Sequence, residues 1–249
     1  MIKEKCTRRI VSLVPSLTET VVQLGLRSEL VACTSFCVEP ASLHREVTLI
    51  GGTKDFDVEK ILALSPTHVL ANQEENTRSL VEALMARVAT LVTFPKGPNE
   101  VPTMIKAMGE FLDCDEPAKI MANELTSILS FTAQRIAQPR SFVYLIWRSP
   151  YMIAGPDTYI SRLLESFGWR NAYSGDERYP ALEVDQINTI APDHIFLSSE
   201  PFAFRTRHIS MLRDDGIICD SVTKIDGRMC SWFGWRTIEA LKYIRSLNV

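Results

Sequence analysis

Residues 58–70 read VEKILALSPTHVL, and residues 184–196 read VDQINTIAPDHIF. Val58, Ile61, Pro66 and His68 recur as Val184, Ile187, Pro192 and His194. An acid holds the same slot in each copy, Glu59 and Asp185, while Leu64 and Val69 swap for Ile190 and Ile195. Each copy has the apolar spacing of an amphipathic helix, a stop before a proline, and then an apolar strand. The copies lie too far apart for a solenoid, whose period is roughly 20–50 residues. They predict two related lobes, and a cleft between lobes is a common place to bind a small molecule.

Working outward, residues 9–14 read as a buried strand. Ser16 and Glu19 then have the spacing of a capping box that opens a helix running to Gly25. A strand at 30–34, a helix at 77–87 and a strand at 89–94 continue the alternation, which implies a parallel sheet covered on both faces. The pattern changes at 102–112, a helix, and again at 115–138, one long uninterrupted helical stretch. Pro117 lies near its start and Pro139 after its end, and Met121, Leu125, Ile128, Leu129 and Ile136 recur at helical spacing. Such a helix spans on the order of 30 Å and makes a stiff spacer, where a Gly/Ser-rich hinge would imply wide opening. A strand at 142–147, a helix at 158–167 ended by Gly168, the second copy of the module, a strand or loop at 217–222 and a helix at 237–247 complete the chain. The expected division is an N-terminal α/β lobe at 1–112, a connecting helix at 113–139 and a C-terminal α/β lobe at 140–249.

Composition narrows the function. With 46% apolar and 23% charged residues the chain is of ordinary globular type. A net charge of −3 argues against a nucleic-acid partner, because proteins that neutralise phosphates are usually basic. No segment approaches the roughly 20 apolar residues that span a bilayer. The first residues carry positive charge, but the apolar run from Ile10 is broken by Ser12 and ends at Pro15. A secretory core needs roughly 7–15 apolar residues, so the expectation is a cytoplasmic protein, or a periplasmic one if an export signal has been removed. The six cysteines, Cys6, Cys33, Cys37, Cys114, Cys219 and Cys230, form no Cys-x-x-Cys and read as reduced thiols.

Several further landmarks carry a resemblance. They are RIVSLVPSLTETVVQLGL from Arg9, Thr34-Ser-Phe-Cys-Val-Glu-Pro40, and Gly51-Gly-Thr-Lys54 ahead of the first module copy. In the second half they are Ala154-Gly-Pro-Asp-Thr-Tyr-Ile160, Gly168-Trp-Arg-Asn171 and Trp232-Phe-Gly-Trp-Arg236. In this order and spacing the chain resembles the substrate-binding proteins of ABC importers for vitamin B12, ferric siderophores and haem, the vitamin B12 branch most of all. The resemblance implies two Rossmann-like lobes with mainly parallel sheets joined by one long α-helix, the class III periplasmic-binding-protein arrangement. It implies a monomer without catalytic residues or resident cofactor. Its ligand would be a cobalamin-like corrinoid first, a ferric siderophore or haem second. In such importers one acid on each lobe docks against the membrane permease, a role that falls here on Glu59 and Asp185. A carboxylate in a helix's first turn is equally explained by the backbone dipole, worth roughly 0.3–1 kcal/mol.

In open α/β sheets ligands sit outside the carboxyl ends of the strands. That rule selects Phe36 and Cys37, the run Asn72, Glu74, Glu75 and Asn76, then Arg148 and Tyr151. It also selects Glu200, Phe202 and Phe204, and Trp232, Phe233, Trp235 and Arg236. A large flat ligand needs aromatic faces and a few orienting polar groups. Phe36, Trp147, Tyr151, Tyr179, Trp232 and Trp235 supply faces, or else cap the core. Lys54 and Arg236 are expected to meet a ligand's anionic groups, whereas Arg148 reads as a surface cation or a partner of Glu74 or Glu75. Cys37 is a candidate ligand-site thiol, or a buried inert one. No His-Glu-x-x-His or Cys/His ligand spacing marks a metal site, and His68 and His194 are expected to share a structural task at the helix-to-strand turn. The chain has no nucleophile elbow, phosphate loop or dinucleotide fingerprint. The alternative to a binding protein is a cytosolic enzyme or sensor that handles corrinoids, tetrapyrroles or iron chelates on the same fold, with Cys37, His44, Glu39 or Glu75 as its working groups.

Overall fold

The computed structural model describes residues 8–132 and 139–247. The chain forms two compact units. Of the described residues, the first takes those up to Pro95, Val101–Glu124 and Phe233–Arg236; the second takes Lys96–Glu100, those from Leu125 to Trp232, and those from Thr237 on.

The first unit alternates strand and helix: β1 (Ile10–Ser12), α1 (Pro15–Gln23), β2 (Leu30–Cys33), β3 (Thr48–Leu49), α2 (Val58–Ala63), β4 (His68–Asn72), α3 (Arg78–Met85) and β5 (Ala89–Thr93). α4 (Val101–Phe111) follows, and α5 (Asp115–Thr132) begins in this unit and ends in the other. The sheet order is β3-β2-β1-β4-β5 and every pairing is parallel. Its core packs Val11, Leu13, Ala32, Val69 and Ala71 against Ile61, Val81 and Leu84 of the covering helices. Gly109 of α4 lets Ala118 of α5 approach so closely that a Cβ would stand 2.4 Å from that methyl. The corner between these helices is tied by Arg8, which pairs with Glu29 and donates to the carbonyls of Leu112 and Asp113.

The second unit holds β6 (Ser141–Trp147), β7 (Tyr151–Ile153), α6 (Tyr159–Glu165), β8 (Arg170–Asn171), β9 (Ala181–Leu182), α7 (Val184–Ile190), β10 (His194–Ser198), α8 (Arg207–Asp214), β11 (Ser221–Ile225), α9 (Gly227–Ser231) and nearly all of α10 (Arg236–Ser246). Strands run in the order β11-β10-β6-β7-β9, with β8 also on β6. The β6, β10, β11 and β8 pairings are parallel, and β7 and β9 are antiparallel additions. Val143, Leu145, Ile195, Leu197, Ile187, Leu212 and Ile217 build its core.

The repeated module is a repeat of structure. α2 and β4 match α7 and β10, and His68 pairs in register with Ile10 as His194 does with Phe142. Both helices stop on a left-handed residue just before the proline, Ser65 (φ 49°) and Ala191 (φ 48°). Side chains at the next matched position hold the start of the neighbouring strand. Thr67 accepts from the Arg9 amide at 2.8 Å, and Asp193 from the Ser141 amide at 2.6 Å.

Two expectations need correction. Ser16 and Glu19 form no capping box: α1 starts behind Val14 with no side-chain cap, and the Ser16 hydroxyl is buried without a partner. Glu19 is drawn away because its carboxylate clasps the guanidinium of Arg236, a charge-assisted pairing stronger than a cap bond. The segment expected as a strand or loop at 217–222 becomes strand only at Ser221, and that strand runs to Ile225. β3, β7, β8 and β9 are two or three residues long, too short for a period-2 pattern to reveal. The long helix is described as far as Thr132; the rest of its expected span, with Ile136, lies outside the described residues.

Candidate functional site

Parallel strands deliver their carboxyl ends to one edge of a sheet, and in the first unit that edge is framed by buried amides. Asn72, last in β4, accepts the amides of Glu74 and Glu75 at 2.9 and 3.0 Å and donates to the Thr93 carbonyl at 3.0 Å. Asn76 receives the Asn72 amide at 2.8 Å and donates to the carbonyls of Leu13 (3.2 Å) and Thr53 (2.9 Å). The run Asn72–Asn76 thus ties the ends of three strands and the loop carrying Lys54. Loop selection found these residues, but their sequence did not reveal that the two asparagines are scaffold.

On that frame Phe36 projects 58% exposed, beside the ends of β2 and the Gly52 turn. Its neighbour Cys37 is fully buried, its sulfur 3.1 Å from the Thr18 hydroxyl and hydrogen-bonded with the Thr34 hydroxyl at 3.2 Å, so a contact between its sulfur and a ligand would need the loop to move. Burial works to raise that thiol, but the hydrogen bonds from Cys33, Thr18 and Thr34 outweigh it and hold it below its ordinary value. Lys54 is exposed, and its ammonium donates to the Glu74 carbonyl at 2.6 Å rather than to a carboxylate. Glu75 is half-buried on the same edge. Arg236 belongs to this unit too, but it is buried and held in the bidentate pair with Glu19. Trp235, beside it, is half-buried, with its amide on the Thr20 hydroxyl at 3.1 Å.

The second unit's edge is aromatic. Trp147, last in β6, is 40% exposed and lies edge-on to Phe202 at 5.6 Å. Phe202 packs on Phe204 and His208, which supports the indole from below. Tyr151 is buried in the core cluster, and its hydroxyl donates to Asp215. Arg148 reaches the same Asp215 oxygen at 2.8 Å, so its partner is neither Glu74 nor Glu75. Tyr151 and Arg148 together hold the Asp215 carboxyl below its usual range. Trp232 is buried and donates its indole N–H to Glu200 at 2.9 Å, and Ser231 donates to the same oxygen at 3.0 Å. Burial pushes the Glu200 carboxyl up, against those two donors. Gly227 is required here, since a Cβ would stand 2.5 Å from both Glu200 Cγ and Ser198 Oγ. Tyr179 is half-buried in the connection before β9.

The structure therefore gathers Phe36, Lys54 and Glu75 on one edge, and Trp147 on another with Tyr151 and Trp232 packed behind loop frames. The partners Glu19, Asp215 and Glu200 of the basic and aromatic candidates were missed as partners. Each is distant in sequence from what it binds, and no local spacing signals such a pair. Glu59 and Asp185 both sit exposed in the first turns of their helices, and Glu59 makes one exposed ion pair, with Arg87 at 3.2 Å. His68 bonds the Thr67 hydroxyl at 2.8 Å, but both ring nitrogens of His194 are buried without a partner. The matched histidines do not share a task. Cys33, Cys37, Cys114, Cys219 and Cys230 are free thiols; Cys6 lies outside the described residues.

Known proteins match this chain over three quarters of its length or more. It is 25% identical to an uncharacterized ABC transporter substrate-binding lipoprotein, YvrC, of Bacillus subtilis, covering 99% of this chain and 74% of that one. It is 24% identical to a vitamin B12-binding protein of Photorhabdus laumondii, covering 76% and 70%. Among solved structures it is similar to the apo periplasmic heme-binding protein RhuT from Roseiflexus sp. RS-1, with a TM-score of 0.81, 19% identity and 96% of each chain covered. It is similar as well to the periplasmic vitamin B12-binding protein BtuF of Vibrio cholerae, with a TM-score of 0.77, 20% identity and 94% of each covered. Two α/β lobes, mostly parallel sheets and one long helix make this the class III fold of those proteins. The profile of the family described as periplasmic binding protein matches residues 10–216, and the chain belongs to that family.

Proposed function

We propose that this chain is the substrate-binding component of an ABC importer and holds a metal chelate or tetrapyrrole without transforming it. The observation that carries the reading is the pair of exposed aromatics, Phe36 and Trp147, each standing at a strand's carboxyl end on a hydrogen-bonded or aromatic support. Rigid exposed rings bind flat ligands at little entropic cost. The polar candidates behind them are largely engaged within the protein: Arg236 by Glu19, Arg148 and Tyr151 by Asp215, Trp232 by Glu200. They shape the edges more than they reach outward. Lys54 and Glu75 supply orienting groups. Our reading takes a cobalamin-like corrinoid first, with the vitamin B12-binding relatives in its support, and haem and ferric siderophores as the competing ligands. An importer component meets its ligand outside the cytoplasmic membrane, so this reading places the working protein there.

The test is a titration of the purified protein with cobalamin, haem and ferric siderophores, followed by visible absorbance, with the ligand recovered afterwards. Saturation near one ligand per chain and an unchanged ligand support the reading. Conversion of any ligand moves the enzyme on this fold ahead; no binding to any of them removes the chelate class.

Glu59 and Asp185 are the proposed docking acids, exposed at matched helix starts. The ion pair of Glu59 with Arg87 is exposed and gives way easily, being worth about 0–1 kcal/mol. Replacing both acids by Ala is expected to leave soluble ligand affinity unchanged and abolish association with the permease. A parallel loss of both would remove the docking role.

A further inference from the structure

Helix α8 carries its charges against its own dipole. Arg205 and Arg207 stand at its amino end, where unpaired amides already concentrate positive charge, and Asp214 and Asp215 stand at its carboxyl end. The acidic end is accounted for, because Arg148 and Tyr151 both donate to Asp215. The basic end is not. No acid occurs between Glu200 and Asp214, no side chain caps the helix, and Glu200 turns inward to Ser231 and Trp232. Arg205 and Arg207 are exposed, and their guanidinium groups have no partner among the described residues.

The same segment runs along the second unit's aromatic edge. The Phe202 amide bonds the Ile146 carbonyl at 3.3 Å and the Phe204 amide the Ser198 carbonyl at 3.2 Å, which lays the loop across the carboxyl ends of β6 and β10. Trp147 meets Phe202 at 5.6 Å, and Phe202 meets His208 at 5.3 Å. His208 is only 5% exposed. The Arg205 amide donates to its Nδ1 at 2.8 Å, so Nδ1 is the acceptor and Nε2 carries the proton of the neutral ring. Burial first, then Arg207, Arg148 and Arg205, hold the imidazole below its ordinary value and keep it neutral. Its Nε2–H has no partner among the described residues.

We infer that Arg205, Arg207 and the Nε2–H of His208 receive an acidic group of the ligand, a carboxylate or a phosphate, while the ligand's flat body lies on Trp147. The inference rests on the proposed binding of a flat chelate at Trp147 and narrows its class to chelates with an acidic group outside the ring. Guanidinium groups pair with either oxyanion through parallel hydrogen bonds. An oxyanion placed there also offsets the positive end of α8, which the protein leaves without an acid of its own. His208 is fixed in one tautomer by a backbone amide and wedged between Phe202 and Phe204, so its N–H is ordered before the ligand arrives. Arg148 is already neutralised by Asp215, which leaves the charge on Arg205 and Arg207 to select the ligand. Haem would supply the acidic group as carboxylates and cobalamin as a phosphodiester.

The test titrates the whole protein with matched pairs of probes: haem against its dimethyl ester, and cobalamin against cobinamide, which lacks the phosphodiester. Visible absorbance follows binding to the wild type and to the double variant Arg205→Gln, Arg207→Gln. In at least one pair the wild type should hold the acidic member about tenfold or more tighter. The Gln variant should lose that preference and hold the other member as before. A variant with Arg205→Lys and Arg207→Lys keeps the charge and should keep most of the preference. Both arginines are exposed, so the variants should melt near the wild type. Equal affinity within each pair would overturn the inference and leave the binding reading standing, and so would a preference that survives in the Gln variant. No binding of any of these probes would end the flat-chelate reading and this inference with it.

Discussion

The two copies of the module share a backbone and differ in what their side chains do with it. In the first unit β4 ends in Asn72, whose amide side chain takes two loop amides and gives a hydrogen bond to β5. At the matched place in the second unit β10 ends in Ser198, which takes the Glu200 amide, at 3.3 Å, and the Tyr144 hydroxyl, at 3.1 Å, and donates to the Glu200 carbonyl at 2.5 Å. The residues two further on are both glutamates. Glu74 lends its carbonyl to Lys54, whereas Glu200 turns its carboxylate inward to Trp232 and Ser231. At the opposite end of the strand, half-buried His68 has a hydroxyl partner and an edge contact with Phe111 at 4.9 Å. His194 lies fully buried among Trp169 and Phe196 with no hydrogen bond. The backbone of a repeat survives on a few stops and apolar positions. Its polar side chains are free to take different work, and the two edges become a polar frame and an aromatic one.

The comparison can be broken at the strand ends. Asn72→Ala takes away the acceptor of two part-buried loop amides and a donor to the Thr93 carbonyl, and should cost about 3 kcal/mol in a urea titration, whereas Ser198→Ala should cost about 1 kcal/mol. Equal losses would mean that the two edges bear similar loads.

The histidines sharpen it by pH. Burial, with Arg140 nearby, lowers His194 from 6.5 to about 4, so the unfolded chain binds this proton more readily than the folded one. Its contribution is complete above pH 6.5 and lost as pH falls to about 4, on the order of 3 kcal/mol in all. His194→Leu should flatten stability across that window, measured by urea titrations at several pH values. His68→Leu should change the slope much less. An unchanged slope in His194→Leu would assign the acid sensitivity to other groups.

The smallest effect lies where the copies agree. Ser65 and Ala191 are exposed and left-handed, a conformation that glycine adopts without a Cβ penalty. Ser65→Gly and Ala191→Gly should each gain roughly 0.5–1 kcal/mol by melting. A loss at one site alone would show that the two stops are not equivalent.

How much of this was legible in the sequence follows the range of the forces involved. The module, the alternation of the first unit and the start of α5 rest on local periodicity and prolines, and these were readable. Ser16 and Glu19 have capping-box spacing, but Arg236, far along the chain, takes the carboxylate. The antiparallel strands β7 and β9 are held by pairing rather than by pattern. At the candidate site, the strand-end rule picked out loops that do lie at the carboxyl ends of the parallel strands. It could not tell Phe36, which projects, from Cys37, which is buried, nor see that Trp232 and Tyr151 are held by acids distant in sequence.

The most direct test of the binding account compares Phe36→Ala and Trp147→Ala with the wild type for affinity to the best ligand of the titration panel, beside their melting temperatures. Because both rings are exposed, each variant should melt near the wild type yet lose about tenfold or more in affinity. Unchanged affinity in both variants would contradict the claim that these rings hold the ligand.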